Sequence, residues 1–317
     1  MTELGPQELL NLQQTRGRWF CKTIHQQPLL YTTNLGSILR FISHRCSRLV
    51  VEVTNYHNPL GPSQMWAWRV DGHSWHRESA AHHRFTIACS PQDHLIEITT
   101  AGNSDLDQVW TGQAGFGIAK LTTNSGYLTA APHQPVIDFI GDSITAGCWV
   151  MGKHAAVDYR PETNYVGVAC DDLNACGVRI AYSAGGVLRP ATGGVPNARE
   201  YLTKLDARQP WHPNQPDLVV INLGVNDRRY PVDEFNAAYD DLLNRVTAFF
   251  PHIQIVVMVP FLQSFAPQIR SLAGQHSLPD IETANWQPSY TDGLHPDQAG
   301  SVRCGHQLAK TLGPLLK

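Results

Sequence analysis

The sequence predicts an α/β fold: a parallel sheet with helices on both faces over residues 135–317, preceded by an all-β sandwich or jelly roll over residues 1–134. Three observations carry that expectation. Up to Ala130 the chain is a succession of short β-branched and aromatic runs cut by Gly, Pro, Asn and Ser turns. From Val136 onward, nearly continuous apolar runs alternate with segments whose apolar residues recur at three- and four-residue spacing. Between the two lies Ala131-Pro-His-Gln-Pro135, whose prolines mark a linker.

In the first half, Leu49–Val53, Met65–Val70, Arg84–Cys89, Leu95–Thr99 and Gly115–Leu121 read as strands. Asp71-Gly72 is a hairpin signal after the second of them. Many short strands with such turns point to two packed sheets. Trp66, Trp68 and Trp75 are read as core, the alternative being a sugar-stacking surface. His73, His76, His82 and His83 match no ligand spacing and are read as solvated side chains rather than a metal site.

In the second half, Val136–Gly141 is an apolar strand that stops in the small-residue turn Asp142-Ser143. A helix from Asn164 to Ala175 and a strand over Val178–Tyr182 follow, the strand ending in Ser183-Ala184-Gly185-Gly186. A helix is expected from Asn197 to Arg208, then a strand over Asp217–Leu223 that ends in Gly224-Val225-Asn226-Asp227. Phe235, Ala238, Tyr239, Leu242, Leu243, Val246, Phe249 and Phe250 form one face of the best-patterned helix. A strand over Ile253–Val259 stops at Pro260, and the last helix is expected from Pro296, at its first position, to Leu312. Strands alternating with helices imply parallel pairing through right-handed crossovers, and apolar strands imply helices on both faces.

Bulk properties narrow the function. The chain has 317 residues, 42 % apolar and 16 % charged, which is the composition of a globular protein with room for a large core. A net charge of −3 argues against a nucleic-acid partner. No apolar run approaches membrane-spanning length, so no membrane partner is expected. The N-terminus shows no basic region followed by an apolar core, which reads as a cytoplasmic protein. Seven cysteines without a Cys-x-x-Cys pair read as reduced thiols, with a Cys170–Cys176 disulfide as the alternative. Cys148 is read as packing.

The chemically loaded residues all lie at strand ends or before the last helix. Ser143 follows the first parallel strand, Gly185 and Gly186 the second, and Asn226 the third; Asp292-Gly-Leu-His295 precedes the terminal helix. In a parallel sheet these ends converge on one edge. Serine needs an adjacent base before it attacks a carbonyl, and His295 can supply it. Asp292 can hold the imidazole tautomer. The backbone N–H of Ser143, an N–H in the Ala184–Gly186 turn, here taken as Gly185, and the Asn226 amide can face an oxyanion. Asp142 and Asp227 are read as braces for their turns. Arg228 and Arg229 are read as solvated, the alternative being substrate contact; Trp149, Tyr159 and Trp286, in loops near the site edge, as packing, the alternative being an apolar or sugar-facing pocket; and Arg189–Pro196 as a site-edge loop.

Gly-Asp-Ser-Ile at 141–144, the glycine turn at 185–186, Gly-x-Asn-Asp at 224–227 and Asp-x-x-His at 292–295 together resemble the four blocks of the SGNH (GDSL-type) hydrolases. The resemblance covers the second half and implies a flavodoxin-like sheet. It also implies a serine esterase with Ser143, Asp292 and His295 as triad, needing neither metal nor cofactor. The two-domain organisation is similar to carbohydrate esterase family 2 deacetylases. That likeness implies short acyl esters, acetyl above all, of a carbohydrate or small-molecule substrate. Two departures stand out: Ala184 follows Ser183 where the family has glycine, and Asp292 is present where family 2 members often lack it. Lipid, thioester or aryl-ester hydrolysis and acyl transfer remain open on the same residues. So does a glycan-binding protein with a degenerate hydrolase, against which the intact Ser143, Asn226 and His295 count. The oligomeric state is left open.

Overall fold

The computed structural model describes residues 2–13, 17–213 and 215–316. The first half runs β1 (Thr2–Leu4), α1 (Pro6–Asn11), β2 (Phe20–Ile24), β3 (Gln27–Thr32), β4 (Ile38–His44), β5 (Arg48–Val53), β6 (Met65–Val70), β7 (His76–Ser79), β8 (Arg84–Ala88), β9 (His94–Gly102), β10 (Phe116–Thr123) and β11 (Tyr127–Ala130). They form two antiparallel sheets. One is ordered β2-β3-β10-β5-β8, with β1 added along β10; the other is ordered β11-β4-β9-β6-β7. Inward residues of both, such as Leu30, Val51 and Ile118 against Phe41, Trp66 and Ile98, share one core. Asp71 and Gly72 both have positive φ, 51° and 70°, and close the turn after β6 as expected of a primed hairpin turn. Trp66 is core as expected; Trp68 and Trp75 are half-buried, stacked on His76 and under Arg69 respectively.

The second half holds β12 (Val136–Gly141), α2 (Ser143–Ala146), α3 (Tyr165–Leu173), β13 (Cys176–Ala181), α4 (Ala198–Tyr201), β14 (Leu218–Asn222), α5 (Val232–Phe249), β15 (Gln254–Met258), α6 (Ala266–Gln275), β16 (Asp280–Ile281) and α7 (Gln298–Leu312). The sheet is wholly parallel, in the order β13-β12-β14-β15-β16. Counted within this half, that is the 2-1-3-4-5 order of flavodoxin-like folds, which reverses direction at β12. Helices cover both faces. Ile140, Ile180, Val219, Ile221 and Val257 pack with α4, α5 and α6. Ile137, Phe139, Val220 and Met258 pack with α3 and α7.

Two helix expectations need correction, and two elements lie outside the expectations. The Asn197–Arg208 helix is a single turn, because the Arg18 guanidinium takes the Tyr201 and Lys204 carbonyls at 3.3 and 2.6 Å and Asp206 draws the Arg208 and Gln209 N–H groups into a turn. The last helix does not begin at Pro296. Pro296 bridges to Tyr290, and Asp297 caps α7 by accepting the Gly300 N–H at 2.8 Å. Helix α6 and edge strand β16 are not marked in the sequence; α6 has ten residues, fewer than three turns, and β16 two, too little for a periodic signal. Cys170 and Cys176 are free thiols.

Buried cations fasten the halves together. Arg18 also donates to Asn34 and to the Tyr182 hydroxyl. Arg179, on β13, reaches back to the Gly36 carbonyl at 3.1 Å while also holding the Thr145 carbonyl at the end of α2. Arg69 pairs with Asp171, Arg77 with Glu162 and Lys22 with Asp206 across the same seam. Among the described residues, no helix is long and apolar enough to cross a membrane.

Candidate active site

The site is assembled at the C-terminal edge of the parallel sheet. Gly141, the last residue of β12, is in register with Ala181 on one side and Asn222 on the other. Ser143, Ala184 and Asn226 therefore follow three adjacent strand ends within a few residues. Past Gly141 the chain turns sharply. Asp142 is extended and caps α2, accepting the Ile144 N–H at 2.9 Å, and Gly147, at φ 89°, ends the helix after one turn. Asn164 accepts from the Gly167 N–H to cap α3 and donates to the Ile144 and Thr145 carbonyls, so both ends of α2 are held. Tyr201 gives its hydroxyl hydrogen to the Gly141 carbonyl at 2.8 Å. Ser143 is thus presented from a braced turn.

His295 arrives from the loop before α7. Its Nε2 lies 2.8 Å from Ser143 Oγ, and its Nδ1 lies 2.8 Å from Asp292 Oδ2. Asp292 Oδ1 accepts the Leu294 and His295 backbone N–H groups at 3.0 and 2.8 Å. The loop is tied to the serine turn by Thr291, whose hydroxyl donates to the Val150 carbonyl at 3.2 Å. The structure brings the three residues named from sequence into one hydrogen-bonded line. A serine proton can pass along such a line to the imidazole while the carboxylate steadies the imidazolium.

Burial pushes the His295 imidazole below its ordinary value, and the bond and charge of Asp292 oppose that shift. Burial acts to raise the Asp292 carboxyl, but the His295 N–H, ring and charge overcome it and hold it low. His295 is therefore neutral and able to accept a proton at neutral pH, beside an ionised Asp292. Asp142 differs. Burial, with the Asp227 charge adding to it, pushes its carboxyl up to about 7.

The glycine turn and Asn226 meet directly: Asn226 Nδ2 donates to the Gly185 carbonyl at 2.9 Å, and Arg189 donates to Asn226 Oδ1 at 3.4 Å. Asp227 is a brace, though not for its own turn as expected: its carboxylate accepts the Val187, Leu188 and Arg189 N–H groups of the neighbouring glycine turn at 2.8, 2.9 and 3.0 Å. A Cβ at position 186 would run into that carboxylate, which explains Gly186. The N–H of Gly185, expected to face an oxyanion, donates to the Tyr182 carbonyl at 3.2 Å, and that of Gly186 to the Arg189 carbonyl at 2.9 Å. Ala184 stands before them with φ 60°.

Of the marginal residues, Trp149 sits 6.4 Å from the His295 ring, with Tyr159 packed edge-on against it. Trp286 is buried against Phe261 in the core on the α3–α7 face, and Arg228 and Arg229 are exposed. Cys148 is buried, and burial raises its thiol well above the ordinary value, which suits packing. Sequence reasoning missed Asp105, and it placed Thr192 in the site-edge loop Arg189–Pro196 without naming its partner. Thr192 donates to Asp105 Oδ1 at 3.0 Å, and its N–H donates to the Ser183 carbonyl at 2.9 Å. Asp105 comes from the β half, and nothing in its local sequence marks it. Among the described residues, no three His, Cys, Asp or Glu side chains cluster in a way that could hold a metal.

Comparison with known proteins agrees with this architecture. Three solved structures are similar over nearly their whole length. A family two carbohydrate esterase from Clostridium thermocellum, in complex with cellohexaose, superposes with a TM-score of 0.72 at 18 % identity, covering 94 % of this chain and 97 % of that one. An acetyl xylan esterase from the rumen bacterium Butyrivibrio proteoclasticus gives 0.71 at 14 % identity, covering 98 % of each chain. A salicylyl-acyltransferase from a tetracycline biosynthetic pathway gives 0.71 at 13 % identity, covering 99 % of this chain and 97 % of that one. At these identities the likeness is one of fold. No curated protein matches the chain by sequence. The model of the GDSL-like Lipase/Acylhydrolase family matches residues 139–303, just over half of the chain and all four sequence blocks. The chain belongs to the GDSL-like lipase/acylhydrolase family and is a carboxylic ester hydrolase.

Proposed function

We propose that the enzyme hydrolyses short-chain acyl esters, acetyl above all, of carbohydrates or similar polyols through an acyl-enzyme on Ser143. The observation that carries the reading is the unbroken line Ser143–His295–Asp292, with 2.8 Å at each link. Ser143 Oγ attacks the ester carbonyl carbon as its proton passes to His295 Nε2. The oxyanion is met by the Ser143 N–H, by the Asn226 amide hydrogen not given to Gly185, and by the N–H of Ala184. Ala184 is assigned because Gly185 and Gly186 spend theirs within the turn. His295 then protonates the leaving alcohol, and the same nitrogen takes a proton from the water that releases the acid.

The carbohydrate part of the reading is supported by whole-length fold likeness to carbohydrate esterases, one of them holding cellohexaose. We read residues 1–134 as one domain and 135–317 as the catalytic one. The first is taken as a jelly roll, since β3-β10-β5-β8 and β4-β9-β6-β7 are the sheet orders of two interleaved Greek keys. Acetate release from mono-acetylated sugars, set beside a series of p-nitrophenyl esters of rising chain length, tests the reading. Acetate release with a preference for acetyl is expected; a preference for long acyl chains overturns it. A second reading, transfer of the acyl group to an acceptor hydroxyl, draws on the acyltransferase of the same fold. Acylated acceptor in place of free acid would favour it.

A further inference from the structure

We propose that Asp105, delivered by the β half, is a specificity-determining residue whose carboxylate accepts hydrogen bonds from free hydroxyls on the alcohol portion of the ester. The proposal rests on the polyol-ester reading above and goes beyond it in naming the contact.

Strand β9 runs out at Gly102 into a turn fixed from inside. Asp107 is fully buried, and its two oxygens accept the Asn58 and Ser104 N–H groups at 2.6 and 2.9 Å. The Asp107 N–H closes back on the Ser104 carbonyl at 3.0 Å. Asp105 therefore stands on a rigid bend, half-buried, and Thr192 anchors one of its oxygens to the turn that carries Ala184. Gly193 lets the chain pass flush against this bend, where a Cβ would strike the Asp107 carbonyl. Asp105 and Ser104 share with Ala146, Ser183 and Thr192 a cavity of about 20 Å³, room for one water, directly behind the serine turn. The geometric link to the reacting residues is through Thr192, whose backbone N–H holds the Ser183 carbonyl next to Ala184, and Asp105 lies within electrostatic reach of His295.

A half-buried carboxylate in such a place needs partners. Among the described residues Thr192 is its hydrogen-bond donor, and no Lys, Arg or His pairs with it. An ionised carboxylate can accept about four hydrogen bonds, so most of its capacity is unused. It does not serve as a second orienting acid, because both ring nitrogens of His295 are taken by Ser143 and Asp292. Those open lone pairs, reachable by water, can equally take a ligand that brings hydroxyl donors and no negative charge. A neutral polyol meets that description, and charge-assisted O–H bonds to a carboxylate are the strong kind.

The test compares wild type, Asp105→Ala and Asp105→Asn on two substrates: a mono-acetylated sugar with free hydroxyls, and p-nitrophenyl acetate, whose leaving group has none. The expected result is that the ratio of kcat/KM for the sugar ester to that for p-nitrophenyl acetate falls about 10- to 100-fold in Asp105→Ala. Most of the fall should lie in the KM for the sugar. Asp105→Asn, which can still accept from Thr192, should fall less and serves if the alanine variant is unstable. An unchanged ratio in a wild type that does cleave the sugar ester overturns this inference and leaves the polyol reading standing. A wild type that cleaves p-nitrophenyl acetate but no acetylated sugar overturns both.

Discussion

The carboxylate of Asp292 grips His295 from two sides: Oδ1 accepts the histidine's own backbone N–H and Oδ2 accepts ring Nδ1, each at 2.8 Å. Ring and backbone are locked by one side chain three residues away. The grip fixes the Nδ1–H tautomer and leaves Nε2 free to accept the Ser143 hydroxyl hydrogen.

Replacing Asp292 with asparagine should therefore leave a folded but slow enzyme, with kcat on p-nitrophenyl acetate down about 100- to 10,000-fold. The pH profile adds a second readout. Burial lowers the His295 pKa and Asp292 raises it, so the wild-type acid limb of kcat/KM should lie below the ordinary histidine value. Losing the carboxylate should move the limb further down. A wild-type rate with an unmoved limb would leave Asp292 a structural role only.

Ser143→Ala should abolish turnover of p-nitrophenyl acetate, by about 10⁴-fold or more, with circular dichroism and Tm close to wild type. The side chain makes its hydrogen bond to His295, and the backbone of α2 is held by Asp142 and Asn164 rather than by the serine. Retained turnover in a clean preparation would remove Ser143 as nucleophile.

Asn226→Ala should cost about 100- to 1,000-fold in kcat with little change in KM, as for loss of one oxyanion donor. Its bond to the Gly185 carbonyl and the one it accepts from Arg189 are also lost. Gly185→Ala is thus a useful companion: a Cβ there would lie 3.2 Å from the Tyr182 carbonyl and the Tyr201 hydroxyl, so a modest effect is expected. Because alanine keeps the backbone N–H, a large fall in Gly185→Ala would report crowding of the turn rather than a lost donor, and an unchanged kcat in Asn226→Ala would remove Asn226 from the oxyanion site.

Asp142→Asn should change how stability depends on pH. The folded carboxyl titrates at about 7, well above its unfolded value, so protonation favours the folded state. Its contribution is fully present below the unfolded pKa and is lost as pH rises through about 7. Asparagine cannot ionise and still caps α2. The Tm of Asp142→Asn minus that of wild type should therefore be larger at pH 8 than at pH 4. A difference independent of pH would contradict the raised pKa.

The elements that could be read from the sequence are those whose environment is uniform. Val136–Gly141 is buried throughout, and α5 presents one apolar face, so their patterns are plain. The four site blocks were legible because each sits on a strand end or helix start, where local chemistry dictates the turn. What escaped depends on partners far along the chain. The Asn197 helix is cut short by Arg18, more than 180 residues earlier, and no local propensity records that. The turn donor is decided by which N–H groups the turn itself consumes, a matter of backbone angles around Ala184. Asp105 gains meaning only once β9 delivers it to Thr192.

The seam between the halves also limits how this enzyme can be rebuilt. Arg18 enters from the β half to satisfy carbonyls at 201 and 204, and Arg179 returns from β13 to satisfy the one at Gly36. The halves are not exchangeable cassettes. Grafting this hydrolase onto a foreign β module would strand those carbonyls and leave Arg179 a buried charge short of an acceptor. Variation is cheapest in the bend from Asn103 to Leu106, where Asp107 pins the backbone; within it Ser104 is buried, Asp105 is tied to Thr192 by one hydrogen bond, and Leu106 is exposed. Libraries confined to those positions should redirect which alcohols are accepted while the machinery around Ser143 stays as it is.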